Sequence, residues 1–112
     1  MLNINLFIFL APPKISPFSF SEESMSFGEF VNLQCTIAGG DLPVKIIWTL
    51  NEKPFEDYLE IITTKRGKRI SELTIESVSA KHTGNYSCIA ENRAGRVNHT
   101  AELRVNGAEC AE

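Results

Sequence analysis

The sequence predicts an all-β fold of two antiparallel sheets packed face to face. Apolar residues alternate with polar ones at period two in five separate runs. Turn signals rich in glycine and proline separate those runs at short intervals. No stretch of ten or more residues carries helical periodicity. The chain has 112 residues, 43% of them apolar, with 14 acidic and 11 basic side chains and a formal net charge of −3. That length holds one domain, with no room for a catalytic module beside it.

The elements follow in chain order. Val31, Leu33, Cys35 and Ile37 alternate with Asn32, Gln34 and Thr36, and Ile46, Trp48 and Leu50 with Lys45, Ile47 and Thr49. Leu73 and Ile75 alternate with Glu72, Thr74 and Glu76; Tyr86, Cys88 and Ala90 with Ser87, Ile89 and Glu91; Ala101, Leu103 and Val105 with Thr100, Glu102 and Arg104. Each run has one apolar face and one mostly polar face, the pattern of a strand with a core on one side and water on the other. Glu60 to Thr64 is a further, weaker strand in which Ile61 and Ile62 are adjacent, so one isoleucine faces outward in either register. The turns are Ser26-Phe27-Gly28, Gly39-Gly40-Asp41, Asn51 to Pro54, Arg66-Gly67-Lys68, His82-Thr83-Gly84 and Arg93-Ala94-Gly95. Ser77 to His82 has room for one tight helical turn. The domain is expected to span residues 12–106, with residues 1–11 a signal-like remnant or a segment foreign to the domain, and residues 107–112 a linker or tail. The longest apolar run, Leu6 to Ala11, is far short of the roughly 18 residues of a membrane span.

Three cysteines are an odd set. Cys35 and Cys88 fall on inward phases of two different strands, whereas Cys110 lies beyond the last strand and is free or tied to a neighbouring domain. Trp48 follows the first cysteine, and Tyr86 precedes the second by two positions. A two-sheet sandwich uses such a set structurally: a Cys35–Cys88 disulfide ties sheet to sheet, the indole packs on it, and the tyrosine hydroxyl bonds back to the backbone at a corner. Trp48, Tyr86 and Leu73 are therefore expected in the core. Inward cysteines lack the exposed, electropositive setting of a reactive thiol.

Gly28, Val31, Leu33, Cys35, Trp48, Leu73-Thr74-Ile75, Gly84-Asn85-Tyr86-Ser87-Cys88, Ala90, Asn92 and Ala94-Gly95 resemble an immunoglobulin domain of the I-set. The resemblance implies a β-sandwich of sheets A-B-E-D and A'-G-F-C, strands being lettered in chain order. Pro13 to Phe20, Gly39 to Pro43, Trp48 to Asn51, Lys65 to Arg69 and Ala80 to Asn85 are similar to the Dscam (Down syndrome cell adhesion molecule) family. The likeness is to the variable seventh immunoglobulin domain of arthropod Dscam and the first domain of the shortened chelicerate Dscam. His82 stands where most I-set domains carry an aspartate, a departure shared with these Dscam domains. The resemblance implies isoform-specific homophilic adhesion between copies on opposing cells, two-fold and antiparallel, in a neuronal or immune setting. It also implies a secreted or cell-surface glycoprotein flanked by other immunoglobulin domains and attached to a membrane only through other parts of the full protein.

Two N-x-S/T sequons, Asn85-Tyr86-Ser87 and Asn98-His99-Thr100, place both asparagines on outward phases of strands F and G. Glycans there shield the C-F-G face and leave the A-B-E-D face for a partner. The expected homophilic contact is Asn32, Gln34 and Thr36 of strand B, Glu60, Ile62 and Thr64 of strand D, and Ile70, Glu72, Thr74 and Glu76 of strand E.

Other functions find less support. The basic run Lys65-Arg66-Gly67-Lys68-Arg69 reads as a solvated loop rather than a polyanion site, and the mildly acidic balance argues against nucleic acid. Two histidines without ligand spacing make no single-chain metal site. No nucleophile elbow, phosphate loop or dinucleotide fingerprint occurs, so no enzyme activity and no cofactor are expected. The alternatives to self-recognition are a structural I-set spacer and a receptor module for a heterologous, immune ligand.

Overall fold

The computed structural model describes residues 10–20 and 24–106, and Cys110 and most of the signal-like segment lie outside the described residues. Its strands are β1 (Lys14–Ile15), β2 (Met25–Ser26), β3 (Val31–Gly39), β4 (Lys45–Leu50), β5 (Ile62–Arg66), β6 (Ile70–Ile75), β7 (Gly84–Asn92), β8 (Gly95–Leu103) and β9 (Val105–Asn106). These are strands A, A', B, C, D, E, F and G in order, β9 being the end of G. One sheet runs β1-β3-β6-β5 and the other β4-β7-β8, all antiparallel. β2 joins β9 in a short parallel ladder, Met25 facing Val105 and Ser26 facing Asn106. Strand A' is thus tied to the end of G through a separate pairing.

Period two does the structural work that the sequence implies. Val31, Leu33, Cys35 and Ile37 of β3 are buried, while Asn32 and Gln34 are exposed. Leu73 and Ile75 from β6, Trp48 and Leu50 from β4, Tyr86, Cys88 and Ala90 from β7, and Ala101 and Leu103 from β8 complete the layer between the sheets. Each fully buried aliphatic side chain there contributes about 1.5–3 kcal/mol.

Cys35 and Cys88 form the disulfide, with Cα atoms 6.4 Å apart. Trp48 faces Cys88 across the ladder. Its indole N–H crosses the sandwich and donates to Ser71 Oγ at 2.9 Å, so two buried polar groups satisfy one another. Tyr86 donates its hydroxyl proton to the His82 carbonyl at 2.7 Å, making the expected corner, and burial pushes its phenol well above the ordinary tyrosine range.

The turns follow their residues. Leu50 and Lys53 exchange both backbone hydrogen bonds around Asn51 and Glu52, whose φ values are 51° and 69°. A two-residue hairpin turn of this hand asks for two left-handed residues. Gly40, at φ 107°, has no room for a side chain: a Cβ there would lie 2.6 Å from the Pro12 carbonyl oxygen. Leu42–Pro43 is a cis peptide. Ser77 to His82 contains the expected helical turn as a 3-10 turn at Ala80–His82, and a second lies at Asp57–Leu59.

Three details differ from the sequence reading. Strand D starts at Ile62 rather than Glu60, because the chain leaves the Asp57–Leu59 turn through Glu60 at φ 56°, a left-handed position that ends the turn. Lys65 and Arg66 belong to β5 and the turn is Gly67-Lys68-Arg69, so the basic run is not one solvated loop. Ala11 is held by the domain: its N–H donates to Asp41 Oδ2 at 3.0 Å and its carbonyl accepts from Asp41 N–H and Asn92 Nδ2.

Candidate functional site

The outward face of β1-β3-β6-β5 is built in cross-strand rows. Ladder pairing sets Asn32 against Thr74 and Thr74 against Ile62. The next row is Gln34, Glu72 and Thr64, and the third is Thr36, Ile70 and Arg66. Eight of the ten contact residues expected from sequence therefore share one surface. Glu76 and Glu60 sit at its rim, in the bend after β6 and at the exit of the 3-10 turn.

Two members of this surface escaped the sequence reading. Phe30 immediately precedes buried Val31 and so faces the opposite way; it is 55% exposed, comparable with Ile62 at 56%. The alternation of β3, extended by one residue, would have found it. Arg66, taken for a loop residue, lies in the third row.

At the centre, Glu72 is held from both sides. Asn32 Nδ2 donates to its Oε2 at 2.8 Å and Arg66 Nε to its Oε1 at 2.7 Å, and Asn32 also donates to Thr74 Oγ1 at 3.2 Å. The Asn32 bond first, and then Arg66, draws the Glu72 carboxyl below the ordinary glutamate range. Its contribution to stability is present above the unfolded glutamate value and is lost as pH falls through the lowered one. In an NMR titration Glu72 is expected to ionise below the ordinary glutamate range, and Asn32→Ala to move it back up. A Glu72 that titrates in the ordinary glutamate range would show that the cluster does not hold in solution.

The rest of the basic run is divided by its partners. Arg69 donates to the Gly40 carbonyl at 3.1 Å and the Ile37 carbonyl at 3.5 Å, closing the top of the sheet. Lys65 and Lys68 remain exposed.

The opposite sheet presents both sequon asparagines to solvent. Asn85 on β7 and Asn98 on β8 alternate with buried Tyr86 and with the inward Val97 and His99. His99 Nε2 is 2.8 Å from the Phe18 carbonyl oxygen and its ring packs on Phe18 at 4.4 Å, so this histidine serves the fold. Among the described residues, no group of three or more His, Cys, Asp or Glu side chains is placed to hold a metal ion.

Known proteins share this architecture. The immunoglobulin-domain family profile matches residues 12–92. The cell adhesion molecule Dscam1 of Drosophila melanogaster is 42% identical over 98 residues, which is 87% of this chain and 5% of that protein. The human cell adhesion molecule DSCAM is 38% identical over 94 residues, 84% of this chain and 4% of that protein. The chain thus spans about one-twentieth of the length of these curated relatives. The crystal structure of the Dscam1 Ig7 domain, isoform 5, superposes with a TM-score of 0.81 at 42% identity, covering 86% of this chain and 98% of that one.

Proposed function

Because the chain belongs to the Dscam family of immunoglobulin-domain cell adhesion molecules, we propose that it is an extracellular recognition module that binds a second copy of itself. The contact is the outward face of β1-β3-β6-β5, two-fold and antiparallel. The Cys35–Cys88 disulfide agrees with an oxidising, secretory location. Flanking immunoglobulin domains of a longer chain are the expected neighbours.

The observation that carries the reading is the division of charge along the strands. Glu60 and Glu76 lie at one end of the face, Arg66 and Lys68 at the other, with exposed Ile62 and half-buried Ile70 between. An antiparallel two-fold contact lays the acidic end of one copy on the basic end of the next, whereas a parallel one opposes like charges. The Asn32–Glu72–Arg66 cluster fixes the side chains at the centre before contact, which lowers the ordering cost of binding.

Sedimentation of the secreted chain is expected to show a reversible dimer. Symmetry makes each substitution act twice, so Glu76→Lys should cost roughly 1–2 kcal/mol and raise Kd about tenfold. Lys68→Glu should do the same, and the two together should recover much of the loss. A strict monomer at high micromolar concentration, or no recovery in the double variant, removes this contact. Isoform specificity has its own assay: beads bearing this chain should cluster with themselves and segregate from beads bearing a sibling domain that differs on this face. Indiscriminate mixing would remove the isoform-specific reading, and beads that do not cluster at all would favour a spacer.

A further inference from the structure

We propose that Asn98 is an N-glycosylation site, with Asn85 as its companion, and that the attached sugars seal the outward face of the β4-β7-β8 sheet. Both sites lie on that face alone and are independent of the adhesive contact.

Ladder pairing sets Asn98 against Ile89, and Ile89 against Ile47. Ile47 is 36% exposed and Ile89 partly so, which leaves an apolar strip across an otherwise polar sheet with Asn98 at its end. The next row is Thr49, Ser87 and Thr100. Ser87 and Thr100 are the hydroxyl residues of the two sequons, and their oxygens are 2.7 Å apart, hydrogen bonded to each other. Asn85 follows one row further, facing Glu102. The two asparagines therefore flank a shared hydroxyl pair on adjacent strands, about 13 Å apart along the strand axis.

Both side chains can carry a large group without disturbing the fold. Asn85 and Asn98 are exposed, and the backbone N–H of Asn85 is already satisfied by Asn51 Oδ1 at 2.9 Å. A shallow hollow of about 300 Å³, lined by Asn51, Glu52, Asn85, Ser87 and Thr100, offers polar groups beside the first sugar on Asn85. At Asn98 the first sugars project beside Ile89 and Ile47, where their apolar ring faces cover the strip.

The reaction takes place on the extended chain during secretion. Asn Nδ2 attacks C1 of a lipid-pyrophosphate-linked oligosaccharide; the N–C1 bond forms, the C1–O bond to pyrophosphate breaks, the amide loses one proton, and the lipid pyrophosphate departs. The hydroxyl of Thr100 or Ser87 orients the amide in that encounter, and in the folded domain the two hydroxyls pair with each other.

The test uses the chain secreted from insect cells. Peptide N-glycosidase should raise its gel mobility and convert Asn98 and Asn85 to aspartate, read as a mass change in the two peptides. Asn98→Gln should remove one glycan and Thr100→Val, which keeps the asparagine, the same one. Hydroxyl-radical labelling of Ile47 and Ile89 should rise several-fold in either variant. An unmodified Asn98 in the secreted chain overturns the site, and unchanged labelling of the two isoleucines overturns the sealing role.

Discussion

Replacing Cys35 and Cys88 together by alanine is expected to cost about 4 kcal/mol, the chain-entropy value for a cross-link that closes a 53-residue loop. A domain of this size has a net stability of only about 5–14 kcal/mol. With a urea dependence of about 2 kcal/mol per molar, the unfolding midpoint should fall by roughly 2 M. Both sulfurs are fully buried in the middle of β3 and β7, so the alanines also leave a small cavity and the loss should not fall much below that figure. Urea titration of the oxidised protein, the reduced protein and the double variant checks it, the last two being expected to agree closely. A midpoint shift under about 0.5 M would mean that the two sheets hold without their cross-link.

The second large effect is expected at His82. Its ring is 2% exposed and bonded at both nitrogens: Nδ1 accepts the Ser79 N–H at 3.0 Å, so Nε2 carries the hydrogen and donates to the Leu59 carbonyl at 2.8 Å. The backbone carbonyl of the same residue receives the Tyr86 hydroxyl. One side chain thus fastens the Asp57–Leu59 turn to the Ala80–His82 turn, and its backbone fastens both to β7. His82→Leu leaves a buried carbonyl and a partly buried N–H unpaired, and should cost about 3 kcal/mol. His82→Asp should be less damaging because it can still accept from Ser79, yet it places a carboxylate against the Leu59 carbonyl and should remain below the native protein. Denaturant unfolding at neutral pH ranks the three. If leucine equals histidine, the Leu59 bond carries no weight.

Strands with a core face were legible because burial on one side imposes period two. β3 and β7 could be read to within two or three residues for that reason. β5 was not, since every one of its residues is exposed and an edge strand without an inward face leaves no alternation to find. Its start, and with it the position of Glu60, therefore moved. The recognition surface was legible wherever an inward neighbour fixed parity, as at Asn32, Gln34, Glu72 and Thr74. Phe30 obeys the same rule and was overlooked because it stands just outside the run. Arg69 and His82 lay beyond reach for a different reason: their partners are backbone carbonyls of Ile37, Gly40 and Leu59, more than 20 residues away, and carbonyls leave no mark in a sequence.

The short parallel pairing of β2 with β9 also sets how the domain responds to tension. The first and last parts of the fold run side by side there, so a pull on the two ends slides one past the other and strains every hydrogen bond of that ladder at once instead of peeling them singly. Once it yields, the cross-link between Cys35 and Cys88 keeps 53 residues from paying out, roughly 180 Å of extended chain. A pulled domain lengthens only by its two flanks, so β5, β6 and Thr36 stay inside the locked loop and out of the path of force, whereas Asn32 and Gln34 lie in the N-terminal flank that is drawn out.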